Sequence, residues 1–589
     1  MSMRNNSVAS EGSVLDDSEN LAKHDTEHIE LHAYVHKDQQ LQNDNGPPSQ
    51  TNANFNPNLL FYTSLFSSLG VVIFGFEQGV MSLIVSNKFF LNNFNNPTPI
   101  LIGTIVAILE FSAMISCLFV PYVSNRYGRR KCIILGAFFF VIGATFQSLS
   151  PIGNFGLFII ILGRLIAGFG IGILSSVVPL FQSEISPVHK RGLFGCIEFS
   201  GNILGYSLSV WIDYFCGFLN NNWSWRLPLA FQSILGVILM LGGLKLVESP
   251  RWLISKKLDS RAQLTLEKLF GPLATEQLIL IKSGIENEEK RELLRYKDSL
   301  LSKQPNSKFD QLTDDWILLL GNDELPMDSP PPRKWINVVK QEWKLILIGF
   351  SSLFFAQFGG INLVSYYSML IFKKIGFSDN IAGLICGFNS IFYFLSTMLP
   401  WIIVDANWKT PLGNLGGRRF LFISGGFIMG MALIAASISQ SHSQNSNSST
   451  GTTLVAVFIV IYQCAFGYSW GPIAWLYNTE IYADSYTRAI GSSIGTSVNW
   501  SSNFIVGEIS PILLQLIGWR LYLIYGIICL LGVLVCWWFY PETRGVELED
   551  MEELFEKWQE YRSAQLQNLP LSNFIFKYKR LPSVASEVV

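Results

Sequence analysis

Twelve stretches, each long enough to cross a bilayer, run with almost no charge between residues 58 and 540. A transmembrane helix needs about 20 mostly apolar residues, and a charge at mid-bilayer costs about 2.5 kcal/mol or more on insertion scales. Uncharged runs therefore locate spans better than average hydropathy does. They fall at 58–84, 100–123, 131–150, 155–181, 192–217, 227–247, 343–373, 380–404, 419–440, 453–477, 489–514 and 519–540. Between the sixth and seventh lies a polar block holding acids, bases and the run Ser329-Pro330-Pro331-Pro332, which no bilayer would accept. The expected fold is an all-α integral membrane protein of two six-helix halves.

Composition supports a membrane setting. Only 15% of the 589 residues are charged, against roughly 25% in soluble domains. The net charge of -2 gives no basic surface for nucleic acid. Eight cysteines lie almost entirely in apolar stretches without a CxxC, so neither a disulfide framework nor a metal site is expected. Gly168-Phe169-Gly170-Ile171-Gly172 imitates a nucleotide loop but sits inside an apolar span, where glycines serve close helix packing. No nucleophile constellation appears, so neither catalysis nor a cofactor is expected.

Lysine and arginine collect in short cytoplasmic loops. With both termini inside, the inner short loops hold ten such residues, among them Arg126, Arg130, Arg191, Arg419 and Arg488, and the outer ones hold five. Both ends are thus expected in the cytoplasm. The chain divides into a disordered polar tail at 1–56, a first bundle at 57–247, a cytoplasmic linker with short helices at 248–342, a second bundle at 343–541 and a cytoplasmic tail at 542–589.

Three charged motifs occur twice. Arg126-Tyr127-Gly128-Arg129-Arg130 is echoed by Gly416-Gly417-Arg418-Arg419, and Glu184 with Arg191 by Glu480 with Arg488. Glu248-Ser249-Pro250-Arg251 is echoed by Pro541-Glu542-Thr543-Arg544. The offsets, Arg130 to Arg419, Glu184 to Glu480 and Glu248 to Glu542, are 289, 296 and 294 residues. The expected role of these charges is a cytoplasmic gate in which ion pairs hold the two halves together in one state. Paired six-helix halves around a midplane site suit an alternating-access transporter.

The ordered motifs resemble the sugar porter family of the major facilitator superfamily from residue 57 to about 555. They include Gly75-Phe76-Glu77-Gln78-Gly79, Arg126-Tyr127-Gly128-Arg129-Arg130, Gly163-Arg164, Pro179 to Glu184 and Glu248-Ser249-Pro250-Arg251. In the second half they continue with Gln357-Phe358-Gly359-Gly360-Ile361-Asn362, Tyr366-Tyr367, Trp470-Gly471-Pro472, Asn499-Trp500 and Pro541-Glu542-Thr543-Arg544-Gly545. The resemblance implies movement of a sugar or polyol by rocking of the two halves. Protons and membrane lipids are the other expected partners. The plasma membrane is the expected location, with a vacuolar or other internal membrane as the alternative.

Glu77 and Arg164 are ionisable groups inside apolar spans, where such groups survive only when paired or facing water. The resemblance gives this acid and arginine a proton-coupling role. Sugar hydroxyls call for side chains that donate and accept, with aromatic faces beside the ring. Gln357, Asn362 and Tyr366 in the seventh span, Trp475 in the tenth, and Asn499 and Trp500 in the eleventh are the expected substrate residues.

The chain also departs from the family pattern. Ala356 precedes Gln357 where a glutamine pair is usual, and Phe199 stands beside Glu198 at an expected glutamine. Asn125 replaces an aspartate before Arg126. These losses leave two alternatives to sugar transport, a transporter-like nutrient sensor and a carrier of a non-sugar small solute. Glu110, Glu198 and Glu508, the other membrane acids, are expected to pair within the bundle or line its cavity.

Overall fold

The computed structural model describes residues 59–185, 191–301, 335–406, 408–410, 413–446, 449–546 and 551–567. The tail expected at 1–56 lies outside them. The first six spans are the helices Leu59–Ile84, Pro99–Tyr127, Arg129–Ser148, Asn154–Ile185, Arg191–Cys216 and Trp223–Gly243. The seventh is broken into Trp343–Phe358 and Ile361–Ile375, and the eighth is Asp379–Ser396 followed by the short Pro400–Ile403. The ninth is Arg418–Ser446, the tenth is broken into Ser449–Tyr468 and Trp470–Glu480, and the last two are Ser485–Leu516 and Arg520–Phe539. Short helices Pro250–Ser255, Asp259–Phe270 and Ala274–Leu301 follow the sixth span, and Met551–Gln567 follows the twelfth.

Ten of these rods are long and apolar enough to cross a membrane by length and composition. The fifth and eleventh fall outside that set because they carry polar residues that the bundle buries, including Glu198, Asn202, Asp213, Asn499 and Asn503. Large apolar side chains such as Leu118, Phe119, Ile234, Leu516 and Leu534 cover the outer faces. A lipid surround removes the cost of exposing them, and helices satisfy their own backbone groups there.

Packing between spans is close. The second and fourth spans touch at Gly168 and Gly172, where a side chain would collide with the backbone carbonyls of Leu109 and Ala113. This is the small-xxx-small contact of membrane helices. The first and fifth spans meet in the same way, since a Cβ on Gly75 would fall on the Asn202 carbonyl.

The seventh span breaks at Gly360, whose φ is +92° and whose α-carbon lies against the Tyr525 ring. Only glycine adopts that backbone without strain. A second irregularity follows at Tyr367, with φ -126° and ψ 20°. The tenth span breaks at Ser469, one residue before Trp470-Gly471-Pro472.

Candidate functional site

The duplicated charges build one arrangement twice, at the end of each half that carries them (the motif end). Gly128 and Gly417 have φ of +94° and +90°, and each precedes the first turn of a span. Oε1 of Glu248 accepts the backbone N–H of Arg129 at 2.8 Å and of Arg130 at 3.2 Å. Glu542 accepts those of Arg418 at 2.9 Å and Arg419 at 3.0 Å. A carboxylate there satisfies orphan donors and suits the positive end of the helix dipole. Arg129 then forks onto Glu184 with Nη2 2.6 Å from Oε1 and Nε 2.9 Å from Oε2. Arg418 forks onto Glu480 at 2.8 and 3.0 Å and reaches Asp405 at 2.8 Å.

Each fork therefore lies inside its own half, so in this structure neither of these two pairs joins the halves. The arginine that matters also shifts by one position from the residue the motif suggests. Arg130 and Arg419 instead donate to backbone carbonyls of the sixth and twelfth spans, at Gly243 and Trp537. Arg126 bonds the Tyr122 hydroxyl at 3.0 Å on the surface. Arg251 pairs with Glu288 of the linker helix at 2.5 Å, and Arg488 caps the Tyr482 and Ala483 carbonyls. The side chain of Arg191 lies outside the described residues. Between the halves, Ser200 Oγ donates to the Thr397 carbonyl at 3.1 Å and accepts from Trp401 Nε1 at 3.0 Å.

Deep in the first half, Arg164 Nη1 lies 2.8 Å from Glu77 Oε1, and both side chains are fully buried. Nη2 of the same guanidinium donates to the Val106 carbonyl at 2.7 Å. Glu110, one turn beyond Val106, is also buried, and its Oε1 accepts the hydroxyl of Tyr366 at 2.8 Å. One cation thus sits among two acids, and the second acid holds a side chain from the other half. Tyr367 adds a 2.7 Å bond to the Gly507 carbonyl. With Phe76, Val80, Ile105 and Val106, the two tyrosines form a packed apolar wall at the end opposite the motifs.

Beneath that wall a small central cavity is lined by Gln78, Asn202, Tyr206, Gln357, Asn362 and Ser365. Phe74, Phe199, Tyr393 and Trp475 supply aromatic faces. A run of amides supports it from the side of the eleventh span. Gln357 Nε2 donates to Asn499 Oδ1 at 2.6 Å, and Asn362 Nδ2 donates to Gln357 Oε1 at 2.8 Å and also to Asn503. The Nδ2 atoms of Asn499 and Asn503 have no hydrogen-bond partner among the described residues. The break at Gly360 sets Gln357 and Asn362 at the ends of two half-helices, both facing this space.

Of the six expected substrate residues, Gln357, Asn362 and Trp475 line the cavity. Asn499 stands one layer behind, holding Gln357. Tyr366 is turned into the far wall by its bond to Glu110. Trp500 is fully buried, with its ring 4.8 Å from that of Phe74 and its Nε1 donating to Ser175 Oγ at 3.2 Å, so it packs the seam instead of facing solute. Asn202 and Tyr206 were missed. Their signal is the polar series Glu198, Asn202, Tyr206 at spacings of four along the fifth span, which places all three on one face.

The cavity adjoins a larger vestibule toward the motif end, and the two share Phe74, Phe199, Asn202 and Trp475. The vestibule lies between the first, fourth, fifth and tenth spans and carries one acid, Glu198. The site is thus walled at the far end and continues toward the motif end.

The sequence matches the family described as "Sugar (and other) transporter" over residues 63–555. It is 29% identical over 506 residues to the MFS-type transporter oryC of Aspergillus oryzae, covering 84% of this chain and 85% of that protein. It is 26% identical over 511 residues to the sugar transporter STL1 of Saccharomyces cerevisiae, covering 85% and 82%. The fold is that of the proton:xylose symporter XylE bound to 6-bromo-6-deoxy-D-glucose, with a TM-score of 0.66 at 24% identity over 85% of this chain and 100% of that one. A partially occluded inward-open structure of the xylose transporter XylE from E. coli gives 0.64 at 23% identity, over 83% and 99%. The match across most of the chain, with the paired halves and the central amide-lined cavity, establishes that the chain belongs to the sugar transporter family, in the major facilitator fold.

Proposed function

We propose that the protein carries a monosaccharide or polyol across a membrane by alternating access, with Glu77 and Arg164 coupling the movement to a proton. The observation that carries this reading is the chain of four amides, Asn499, Gln357, Asn362 and Asn503, beside a central cavity between the halves. Amides donate and accept at once, which matches hydroxyl groups. The aromatic faces of Trp475 and Phe74 suit the apolar side of a sugar ring. Names of relatives point the same way, since one is a sugar transporter and a structural neighbour is a proton:xylose symporter.

Coupling follows from burial. Glu77 and Arg164 neutralise each other out of water, and a proton on Glu77 leaves the guanidinium to its remaining partners, Val106 and nearby Glu110. Glu110 also anchors Tyr366 of the far wall, so a change at the pair reaches the seam through a short path. In this reading the motif end is cytoplasmic, and the state described is open toward the cytoplasm.

Uptake of labelled monosaccharides and polyols by the purified protein in liposomes, with and without an inward proton gradient, tests this. Gradient-driven accumulation is the expected result. Exchange without any pH dependence removes the proton, and no flux for any such solute removes the transport reading.

A further inference from the structure

The vestibule does not match the chemistry of the central cavity. Its lining is dominated by apolar and aromatic side chains, Phe74, Phe194, Phe199 and Trp475 among them, and Glu198 is the single acid facing it. Glu198 is 6% exposed, and its carboxylate has no hydrogen-bond or ion-pair partner among the described residues. Glu77 holds Arg164, Glu110 holds the Tyr366 hydroxyl and Glu508 accepts from Thr104 at 2.8 Å, while Asp213 of the same span is also without a partner among the described residues but lines neither space. A buried carboxylate without a donor is costly unless something pairs with it. Glu198 lies on the same face as Asn202, which lines both spaces, and is itself part of the vestibule lining.

Aromatic walls around one unpaired carboxylate are a recognisable chemistry. Phe74 and Trp475 stand edge to face at 6.4 Å between ring centroids, and Phe199 reaches the Gly471 backbone between them and the tenth-span break. Ring faces attract a desolvated organic cation, and a carboxylate supplies the counter-charge. A neutral solute lacks the positive charge that carboxylate and ring faces would hold together. The geometry points to a binding site for a small organic ammonium ion with an apolar or aromatic body, held between Glu198 and the aromatic walls of the vestibule. This site shares Phe74, Phe199, Asn202 and Trp475 with the amide-lined cavity but centres on Glu198, which that cavity does not include, and it stands whether or not the sugar reading holds.

Binding of phenethylamine and of its near-isosteric uncharged counterpart 2-phenylethanol to the purified full-length chain, followed by titration calorimetry, tests the site. The ammonium is expected to bind about tenfold or more tightly than the alcohol, and Glu198→Gln is expected to erase that preference. Phenethylamine is also expected to slow maleimide labelling of Thr479→Cys, a position on the vestibule wall. The comparison of the two ligands on the unaltered chain needs no variant, so a poorly folding Glu198→Gln does not blunt it. Equal binding of the two ligands, no binding of the amine, a preference that survives Glu198→Gln, or unprotected Thr479→Cys would each overturn the proposal.

Discussion

Tyr366 on the second half-helix of the seventh span donates its hydroxyl to Oε1 of Glu110 on the second span, 2.8 Å away, and so ties the two halves together at the far end. A hydrogen bond to a charged group contributes about 1.5–3 kcal/mol. Tyr366→Phe keeps the ring in the packed wall and removes only this bond. The far end should then open more often, by about tenfold. Maleimide labelling of Met81→Cys, buried in the same wall, should speed up by that factor in the phenylalanine background, and an unchanged rate would show that the bond does not hold the wall.

The ion pair of Glu77 and Arg164 is buried on both sides. Removing one partner leaves an uncompensated charge and costs about 3–5 kcal/mol, whereas removing both costs much less. Glu77→Gln and Arg164→Gln should each lower stability by that amount, and the double variant should lose clearly less than the sum. Unfolding of the purified variants in detergent measures the cycle. In liposomes Glu77→Gln should lose proton-driven accumulation yet retain exchange.

Charge exchange within and between halves distinguishes where the forks act. Arg129→Glu with Glu184→Arg rebuilds a pair inside the first half and should recover much of the stability that either single change loses. Arg129→Glu with Glu480→Arg sets opposite charges in different halves and should recover none. Thermal unfolding of the three single and two double variants reads the difference, and recovery by the second combination would place the contact across the seam.

Burial pushes the Glu248 carboxyl above its ordinary range, and the backbone N–H groups of Arg130, Ser249 and Arg129, with the Arg129 guanidinium, pull it down without cancelling that rise. A raised value in the fold means that the protonated form is favoured there. The contribution is therefore fully present below the ordinary glutamate value, about 4.3, and is lost as pH rises through the raised one. The stability of wild type minus that of Glu248→Gln should fall as pH climbs from about 4, where glutamine keeps the acceptor without the charge. A flat difference curve would mean that Glu248 carries no such linkage.

The spans were legible because twelve uncharged runs admit little else, and even the two rods of lower hydropathy were found by their lack of charge at the bilayer centre. The repeat was legible too, since its motifs recur at nearly constant offset. Partner choice was not. Arg129 and Arg130 are identical in type, and nothing local in the sequence says that Arg129 is the one that reaches Glu184. Tyr366 and Trp500 look like solute-facing aromatics in sequence, but their direction depends on Glu110 and Ser175, which lie far away along the chain. Glu110 itself gave no sign of its link to the seam, because a lone acid in a span reads the same whether its partner is near or across the molecule.

That each arginine fork closes within its own half bears on speed. A salt link across the seam would have to be torn open in every cycle, and each 1.4 kcal/mol so added would slow turnover about tenfold. Here the sliding surfaces meet through contacts such as Ser200 with Thr397 and Trp401, each of the order of 1 kcal/mol. In the proposed alternating-access reading these two forks need not break as the halves move, and their effect on the rate should respond little to the ionic strength of the medium.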